Sequence, residues 1–211
     1  MSNKKIHSLE RLLEIAADEF CRRRYENVSV AEISKLAHCS TATIYDVYCS
    51  KDELFRRAML LRLEQSWPEI PPVDGSTALL ELLCFFENRL RQLSSRRGRR
   101  LTAAVVAQRA IIGEEFLAEL HHQRAKLAEV MARFVENAVK EGSMVAAVPA
   151  SVGYLLSAAC AYESVLHGLT FGVDCSIDYE KVIRSSFEPF LTPKGLAILD
   201  AHLCQPLDVA A

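Results

Sequence analysis

Hydrophobic residues recur near the start of the chain at the spacing of one helix face. They lie at positions i, i+3, i+4, i+7 and i+11, as in an amphipathic α-helix, and comprise Leu9, Leu12, Leu13, Ala16 and Phe20. Ser8 precedes this stripe, and serine is a preferred N-cap residue. The pattern therefore predicts a first helix that begins near Ser8 and ends at the polar run 22–24.

Three short helices with their own start signals follow. Ser29 with Glu32, and Ser50 with Glu53, have the spacing of a capping box, and Ser40 lies between them as a further N-cap. The link between the first two of these helices is then a turn of three or four residues. The apolar faces assigned to the three helices are Ile33, Leu36 and Ala37, then Ile44 and Val47, then Leu54, Phe55, Ala58 and Leu61.

The remainder of the chain also has helical periodicity. A break rich in proline and glycine at 67–75 is followed by five predicted helices and a short final one: Thr77–Ser94, Arg99–Ile112, Glu114–Glu141, Ala150–Phe171, Tyr179–Leu191 and Leu196–Leu203. Gly142 is expected to end the third of these, and Pro189 to bend or end the fifth. The fold class is therefore all-α, with about nine or ten helices, an N-terminal domain at 5–60 and a larger domain at 61–211.

Composition narrows the function classes only slightly. Half of the 211 residues are hydrophobic and a quarter are charged, which is typical of a folded chain. The net charge is −2, and the first 60 residues hold ten basic and nine acidic residues. A wholly basic nucleic-acid coat is excluded, while a local DNA-reading surface is not. The seven cysteines include no C-x-x-C pair, and neither a secretory signal nor a membrane span is visible, so a cytoplasmic protein is expected.

Two short helices joined by a tight turn, with a third helix behind them, predict a helix-turn-helix at about 28–48. Its second helix, Ser40–Tyr48, has small residues in its first turns, which lets the backbone approach a major groove. Hydroxyl groups can then reach phosphates or base edges, and a lysine at the next helix start suits a phosphate. The predicted DNA-binding residues are Ser29, Ser40, Thr41, Ala42, Thr43, Tyr45, Asp46, Tyr48 and Lys51.

These residues resemble a known family. The run from Leu9 to Met59 is similar to the DNA-binding domain of the TetR repressors, through Ile15-Ala16-Ala17, Phe20, Tyr25, Ser29-Val30-Ala31-Glu32-Ile33, Ala37, Ser40, Thr43-Ile44-Tyr45, Tyr48, Ser50-Lys51 and Glu53-Leu54. The resemblance covers about a quarter of the chain. It implies a dimeric repressor of a palindromic operator, whose larger domain binds a small effector and dimerises.

The chain departs from the family pattern in the turns and on the reading helix. Arg24 and His38 stand where the family usually has glycine, and Cys39 replaces valine. The position of His38 often requires a positive φ, which histidine tolerates better than β-branched residues do. Asp46 places a carboxylate on the expected DNA face, where it can accept a hydrogen bond from cytosine or disfavour some sequences.

The larger domain offers candidates for two further roles. Helix Ala150–Phe171 is apolar on most sides and, with Tyr179–Leu191, is expected to form a four-helix dimer interface that includes Leu155, Ala158, Ala159, Tyr162, Leu166, Ile183 and Phe187. A largely apolar effector is expected to contact Phe85, Phe86, Arg89, Gln108, Tyr162 and His167. Phenylalanine at such positions is more often a core residue than a ligand contact.

Other function classes find little support. The sequence has no glycine-rich phosphate loop, no G-x-S-x-G and no paired catalytic carboxylates, so neither an enzyme nor a cofactor is expected. His121 and His122 are adjacent and point about 100° apart on a helix, so no metal site is expected there. Two alternatives stay open: a helical dimeric adaptor that binds no DNA, and redox sensing by Cys39 and Cys49 beside the recognition helix.

Overall fold

A computed structural model describes residues 3–67, 77–148, 151–152, 155–156, 158 and 177–204. Within them it has nine α-helices: α1 (Asn3–Arg22), α2 (Val30–Leu36), α3 (Thr41–Tyr48), α4 (Lys51–Gln65), α5 (Ala78–Ser94), α6 (Arg96–Ala107), α7 (Arg109–Lys140), α8 (Tyr179–Phe187) and α9 (Pro193–Cys204). Single 3₁₀ turns lie at Tyr25–Asn27 and Glu188–Phe190. The predicted all-α class is confirmed.

The chain divides into two compact units, and the N-terminal one is built from two separate segments. Residues 1–67 and 96–123 form this N-terminal unit, while 68–95 and 124–211 form the C-terminal unit. The sequence suggested a single boundary at 60–61. The segment 96–123 joins the N-terminal unit because Leu101, Ile112 and Phe116 are buried in the same core as the first helices.

Three aromatic rings pack together in the N-terminal unit, two of them buried in its core and Tyr25 partly buried at its edge. Phe20 and Phe55 meet edge to face with centroids 5.1 Å apart, and Tyr25 lies 5.3 Å from Phe55. Ile33 and Ile44 are fully buried beside them, which fixes α2 and α3 on this core. Burying the ring of a phenylalanine stabilises a fold by about 1.5–3 kcal/mol, so the helix-turn-helix is held by packing as well as by its caps.

Several predicted boundaries and faces need correction. α1 begins at Asn3 and includes Ser8, which is therefore not an N-cap. Leu36 and Val47 are 49% and 42% exposed. In α3 the buried pair is Ile44 with Tyr48, four residues apart, and Val47 points to one side of that stripe.

The long helical stretch at 96–140 is interrupted twice. A turn at Gln108 separates α6 from α7, a break that the sequence did not indicate. The predicted break between residues 112 and 114 is present as a kink, where Gly113 has φ +82 and ψ 164. A side chain is rarely tolerated in that backbone conformation, and a Cβ there would lie 3.0 Å from Cδ of Arg56.

The C-terminal unit has its own aromatic core. Phe86 of α5 and Phe187 of α8 meet edge to face at 5.0 Å, and Phe85 lies 6.2 Å from Phe134 of α7. α8 passes into a 3₁₀ turn that contains Pro189, as the sequence predicted. The predicted helix Ala150–Phe171 lies mostly outside the described residues. No helix among the described residues is long and apolar enough to cross a bilayer.

Candidate nucleic-acid interface

The N-terminus of α2 is fixed by a capping box. The Ser29 side chain accepts a hydrogen bond from the backbone N–H of Ala31 at 3.2 Å, and Glu32 accepts one from the backbone N–H of Ser29 at 3.4 Å. Glu32 also pairs with Arg23 at 2.8 Å, and these bonds lower the pKa of its carboxyl group. The predicted cap is therefore confirmed, and it links the end of α1 to the start of α2.

The turn between α2 and α3 is a Schellman motif with histidine in the glycine position. His38 has φ +54. Its N–H donates to the Lys35 carbonyl at 3.2 Å, and the N–H of Cys39 donates to the Ser34 carbonyl at 3.0 Å, which is the bond pattern that ends many helices. Cys39 is half-buried against the core. The turn therefore keeps its geometry without glycine, as expected.

The outer face of α3 presents most of the predicted DNA-binding residues. The Ser40 hydroxyl caps the helix by accepting from the backbone N–H of Thr43 at 3.0 Å, and the two hydroxyl groups lie 2.8 Å apart. Tyr45 is 47% exposed. The other exposed members of the predicted set on this helix and its cap are Ser40, Thr41, Ala42, Thr43 and Asp46.

Tyr48 differs from the rest of the predicted set. Its side chain is only 7% exposed because it packs in the core beside Ile44, and burial raises the pKa of its phenol. The structure thus assigns it to packing instead of an exposed face. Immediately after it, Cys49 has φ +58, and the N–H of Ser50 donates to the Tyr48 carbonyl at 2.6 Å, so the chain reverses in a tight γ-turn.

Lys51 is held at the first position of α4 by Tyr25. Its Nζ donates to the Tyr25 carbonyl at 2.6 Å and lies 4.2 Å from the centre of the Tyr25 ring. Burial lowers the pKa of this ammonium group. The Tyr25 hydroxyl donates to Asp52, and burial followed by this bond raises the pKa of the phenol. An ammonium group has three donors, so two N–H groups of Lys51 remain for a phosphate.

The cap of α4 differs in one detail from the prediction. Ser50 accepts from the backbone N–H of Glu53 at 3.1 Å. Glu53 does not reach back to the cap; its carboxylate instead pairs with Arg56 at 3.0 Å and with Arg57 at 3.0 Å. Arg57 also pairs with Glu115 of α7 at 2.8 Å. Ionic contacts therefore connect α4 with the segment beyond Gly113.

The predicted effector residues occupy different surroundings. Phe85, Phe86 and Arg89 of α5 are buried in the C-terminal unit, and Arg89 donates to Gln92 at 2.8 Å. Gln108 belongs to the N-terminal unit, while Tyr162 and His167 lie outside the described residues. A cleft of about 520 Å³ in the N-terminal unit includes none of these residues; it is lined by Leu13, Arg57, Leu60, Leu61, Glu64, Glu115, Ala118, Glu119 and His122.

The predicted dimer residues divide in the same way. Leu155 is 55% exposed, whereas its neighbours Val152 and Leu156 are buried. Ala158 is half-buried. Ile183 and Phe187 are 1% and 0% exposed within a single chain, so the structure assigns their side chains to the core of the C-terminal unit. Ala159, Tyr162 and Leu166 lie outside the described residues.

Sequence reasoning missed the supporting contacts of this interface. The bond that Lys51 donates to Tyr25 joins residues 26 positions apart, and the bond that Tyr25 donates to Asp52 joins residues 27 apart. The Arg57–Glu115 pair joins residues 58 apart. A local pattern carries no signal for such pairs. Tyr25 stood out only as a residue matched in the family resemblance. The side chains that orient the interface are therefore visible only after the helices are packed.

Comparison with known proteins agrees with this geometry. Residues 12–58 match the family described as "Bacterial regulatory proteins, tetR family". No curated protein sequence matches the chain. Among solved structures, a putative TetR-family transcriptional regulator from Mesorhizobium loti has 15% identity and a TM-score of 0.65, covering 96% of this chain and 98% of its own.

The descriptions of two further similar structures refer to a hormone and to a receptor. One was solved to explain the control of antibiotic production by a bacterial hormone; it has 16% identity and a TM-score of 0.65 and covers 91% of this chain and 100% of its own. The other is a gamma-butyrolactone receptor with 15% identity and a TM-score of 0.57, covering 95% of this chain and 96% of its own. At these identities the similarity shows a shared fold.

Proposed function

We propose, from the premise that residues 12–58 form a DNA-binding domain of the tetR family, that this chain is a dimeric repressor of a palindromic operator that a small effector releases. The observation that carries the proposal is the exposed, well-capped helix α3 on a rigid core, with Lys51 positioned at the start of the next helix. Such a helix fits a major groove, and two copies in a two-fold dimer fit successive grooves.

The residues of the interface divide into two proposed roles. Thr41, Ala42 and Tyr45 lie on the exposed face of α3, where methyl and hydroxyl groups can meet base edges and phosphates. Lys51 and the free backbone N–H groups at the start of α4 suit a phosphate. Asp46 adds an acceptor that favours cytosine and repels phosphate, so it is proposed to narrow the range of operators.

A gel-shift with the DNA upstream of the protein's own gene tests this function. The wild-type chain is expected to form a sequence-specific complex that weakens as salt rises, because phosphate contacts release counterions. A chain that dimerises but forms no such complex would instead be the helical adaptor that the sequence left open.

The Lys51→Ala variant tests the assignment of the DNA face. Loss of one phosphate contact is expected to weaken binding to all sequences and to reduce the salt slope by about one. Lys140→Ala is the matched control, since it removes the same charge from an exposed position of α7 in the C-terminal unit. Equal affinities of the Lys51 variant, a Tyr45→Ala variant and the wild-type chain would show that another surface binds DNA.

The proposed effector is small and largely apolar. Support comes from a similar structure that is described as a gamma-butyrolactone receptor. An alkyl-substituted gamma-butyrolactone is therefore a suitable first probe. If it is an effector, it raises the melting temperature of the protein and dissociates the gel-shift complex over the same concentration range, since both effects report one binding equilibrium.

A further inference from the structure

A thiol, an imidazole and a carboxylate meet between α5 and α9 in the C-terminal unit. Nε2 of His202 lies 2.9 Å from Oε2 of Glu87, and Nδ1 of the same ring lies 4.0 Å from Sγ of Cys84. Cys84 and Glu87 are three residues apart on α5, so they share one face of that helix. The His202 ring on α9 therefore lies between the other two groups.

The contacts of Glu87 fix which nitrogen of the ring faces the thiol. Its other oxygen, Oε1, accepts two hydrogen bonds from Arg91, at 2.9 and 2.6 Å, so Oε2 is the oxygen that meets the His202 ring. Nε2 of His202 lies against this oxygen, and Nδ1 is the nitrogen that faces the thiol. Glu87 and His202 are 4% and 6% exposed, so this orientation is fixed by packing.

The geometry does not suit a shared metal ion. Cys84 and Glu87 contact opposite nitrogens of the ring, so they cannot bind one ion together with it. No cluster of three metal-ligating side chains occurs among the residues that the structure describes. Cys84 is a free thiol. The order of groups is that of a nucleophile, a base and an acid that orients the base.

We propose that Cys84 is a site of covalent modification by soft carbon electrophiles, with His202 as the base that receives the thiol proton and Glu87 as the positioning residue of His202. In the reaction, Sγ bonds to the β-carbon of an α,β-unsaturated carbonyl compound and the carbon–carbon π bond breaks. The thiol proton passes through Nδ1 of His202 to the α-carbon. The addition consumes no oxidant or reductant.

The contact with His202 distinguishes Cys84 from the other cysteines that the structure describes. Burial, with a smaller contribution from the charge of Glu87, raises the pKa of the Cys84 thiol. Little free thiolate is therefore present at neutral pH, and the nearby base must remove the proton during attack. Cys49 and Cys204 are exposed free thiols, so they serve as references within the same molecule.

Alkylation with N-ethylmaleimide, followed by peptide mapping of each cysteine over time, tests the proposal on the full-length protein. In the wild-type chain Cys84 is expected to react at least about tenfold faster than Cys49 and Cys204, since general bases contribute about 10²- to 10⁴-fold. His202→Gln removes the base and is expected to abolish this advantage. Its Cys84 rate should then rise with pH like that of an ordinary thiol.

Two controls separate a chemical role of the triad from a structural one. A cooperative urea transition like that of the wild-type chain shows that a variant is folded, whereas the exposed Cys49 and Cys204 serve only as rate references. Glu87→Gln keeps the shape of the pair but weakens the orientation of the ring, so it is expected to slow Cys84 less than His202→Gln does and to alter its pH profile. A wild-type Cys84 that reacts no faster than the exposed thiols overturns the proposal, and so does a Cys84 rate that His202→Gln leaves unchanged in a folded protein.

Discussion

At the scale of single residues, two Schellman turns place different residues, a histidine and a glycine, at the position that requires a positive φ. His38 and Gly142 both occupy the position after a helix C-cap with a positive φ, of +54 and +77. At each turn the N–H of this residue and the N–H of the next residue donate to carbonyl groups in the last turn of the helix. A side chain with a Cβ strains this backbone region, and glycine does not. The two residues therefore differ in the free energy that the same turn stores.

Opposite substitutions at these two positions should change the free energy of unfolding in opposite directions. His38→Gly is expected to raise the free energy of unfolding by about 0.5–1 kcal/mol, and Gly142→Ala to lower it by about 1 kcal/mol. A Cβ on Gly142 meets nothing within 4 Å, so the second effect is pure backbone strain. Urea titration of both variants measures the change. A destabilised His38→Gly chain would show that the histidine side chain contributes contacts that outweigh the strain.

At the scale of helices, the sequence predicted where a helix begins better than it predicted which face is buried and which distant residues it contacts. The caps at Ser29, Ser40 and Ser50 were predicted correctly because a cap is a local interaction: the serine side chain accepts a hydrogen bond from a backbone N–H two or three residues further along the chain. Ser8 failed since a serine inside a helix carries the same local signal, and only the observed start at Asn3 distinguishes the two. The Lys51–Tyr25 bond depends on tertiary packing and had no local signal.

The side chains of α3 also show that buried and exposed positions are harder to predict than helix starts. The exposed Tyr45 was predicted correctly as a surface residue, whereas the choice between Val47 and Tyr48 as the buried partner of Ile44 was wrong. Both residues lie within one turn of Ile44, and tyrosine is compatible with either environment. The pair Glu87–His202, 115 residues apart, had no sequence signal at all.

The ionic start of α4 should make stability depend on acid. Hydrogen bonds from Arg56, then Arg57, lower the pKa of Glu53 below its ordinary value of 4.5. A carboxyl group with a depressed folded-state pKa stabilises the fold above its unfolded pKa, and this contribution disappears as pH falls through the folded value. Glu53→Gln is thus expected to remove less than about 1 kcal/mol at pH 7 and almost nothing at pH 2.

Urea midpoints between pH 2 and 7 measure this difference. Glu64→Gln is the control, because it removes an exposed carboxylate from the same helix. A Glu53→Gln defect of equal size at pH 2 and pH 7 would show that the loss does not come from the charge of Glu53.

At the scale of the whole molecule, an exposed leucine bears on assembly. Leu155 is 55% exposed beside the buried Val152 and Leu156, and it belongs to the predicted dimer surface. A large apolar side chain at such a position favours burial against a second copy of the chain. Two recognition helices on one dimer bind DNA more tightly than a single helix does. A change that disrupts this surface should therefore lower the proposed affinity for an operator.

If the chain dimerises and binds an operator as proposed, Leu155→Arg is expected to convert a dimer of twice 23.6 kDa into a monomer and to weaken operator binding. Leu80→Arg is the matched control, since Leu80 is also an exposed leucine, at 39%, in the C-terminal unit. Light scattering after size-exclusion chromatography gives the mass, and the gel-shift gives the affinity. A Leu155→Arg chain that keeps the dimer mass would place the interface elsewhere.

The two-segment construction of the N-terminal unit has a consequence for how the protein is made. The core around Phe20 and Phe55 is completed by Ile112 and Phe116, which are synthesised last among its members. A chain emerging from the ribosome therefore cannot complete the fold of its N-terminal unit when residues 1–67 have been translated. It must first release the whole of α5, and it gains a complete N-terminal core only once the segment up to residue 123 is free.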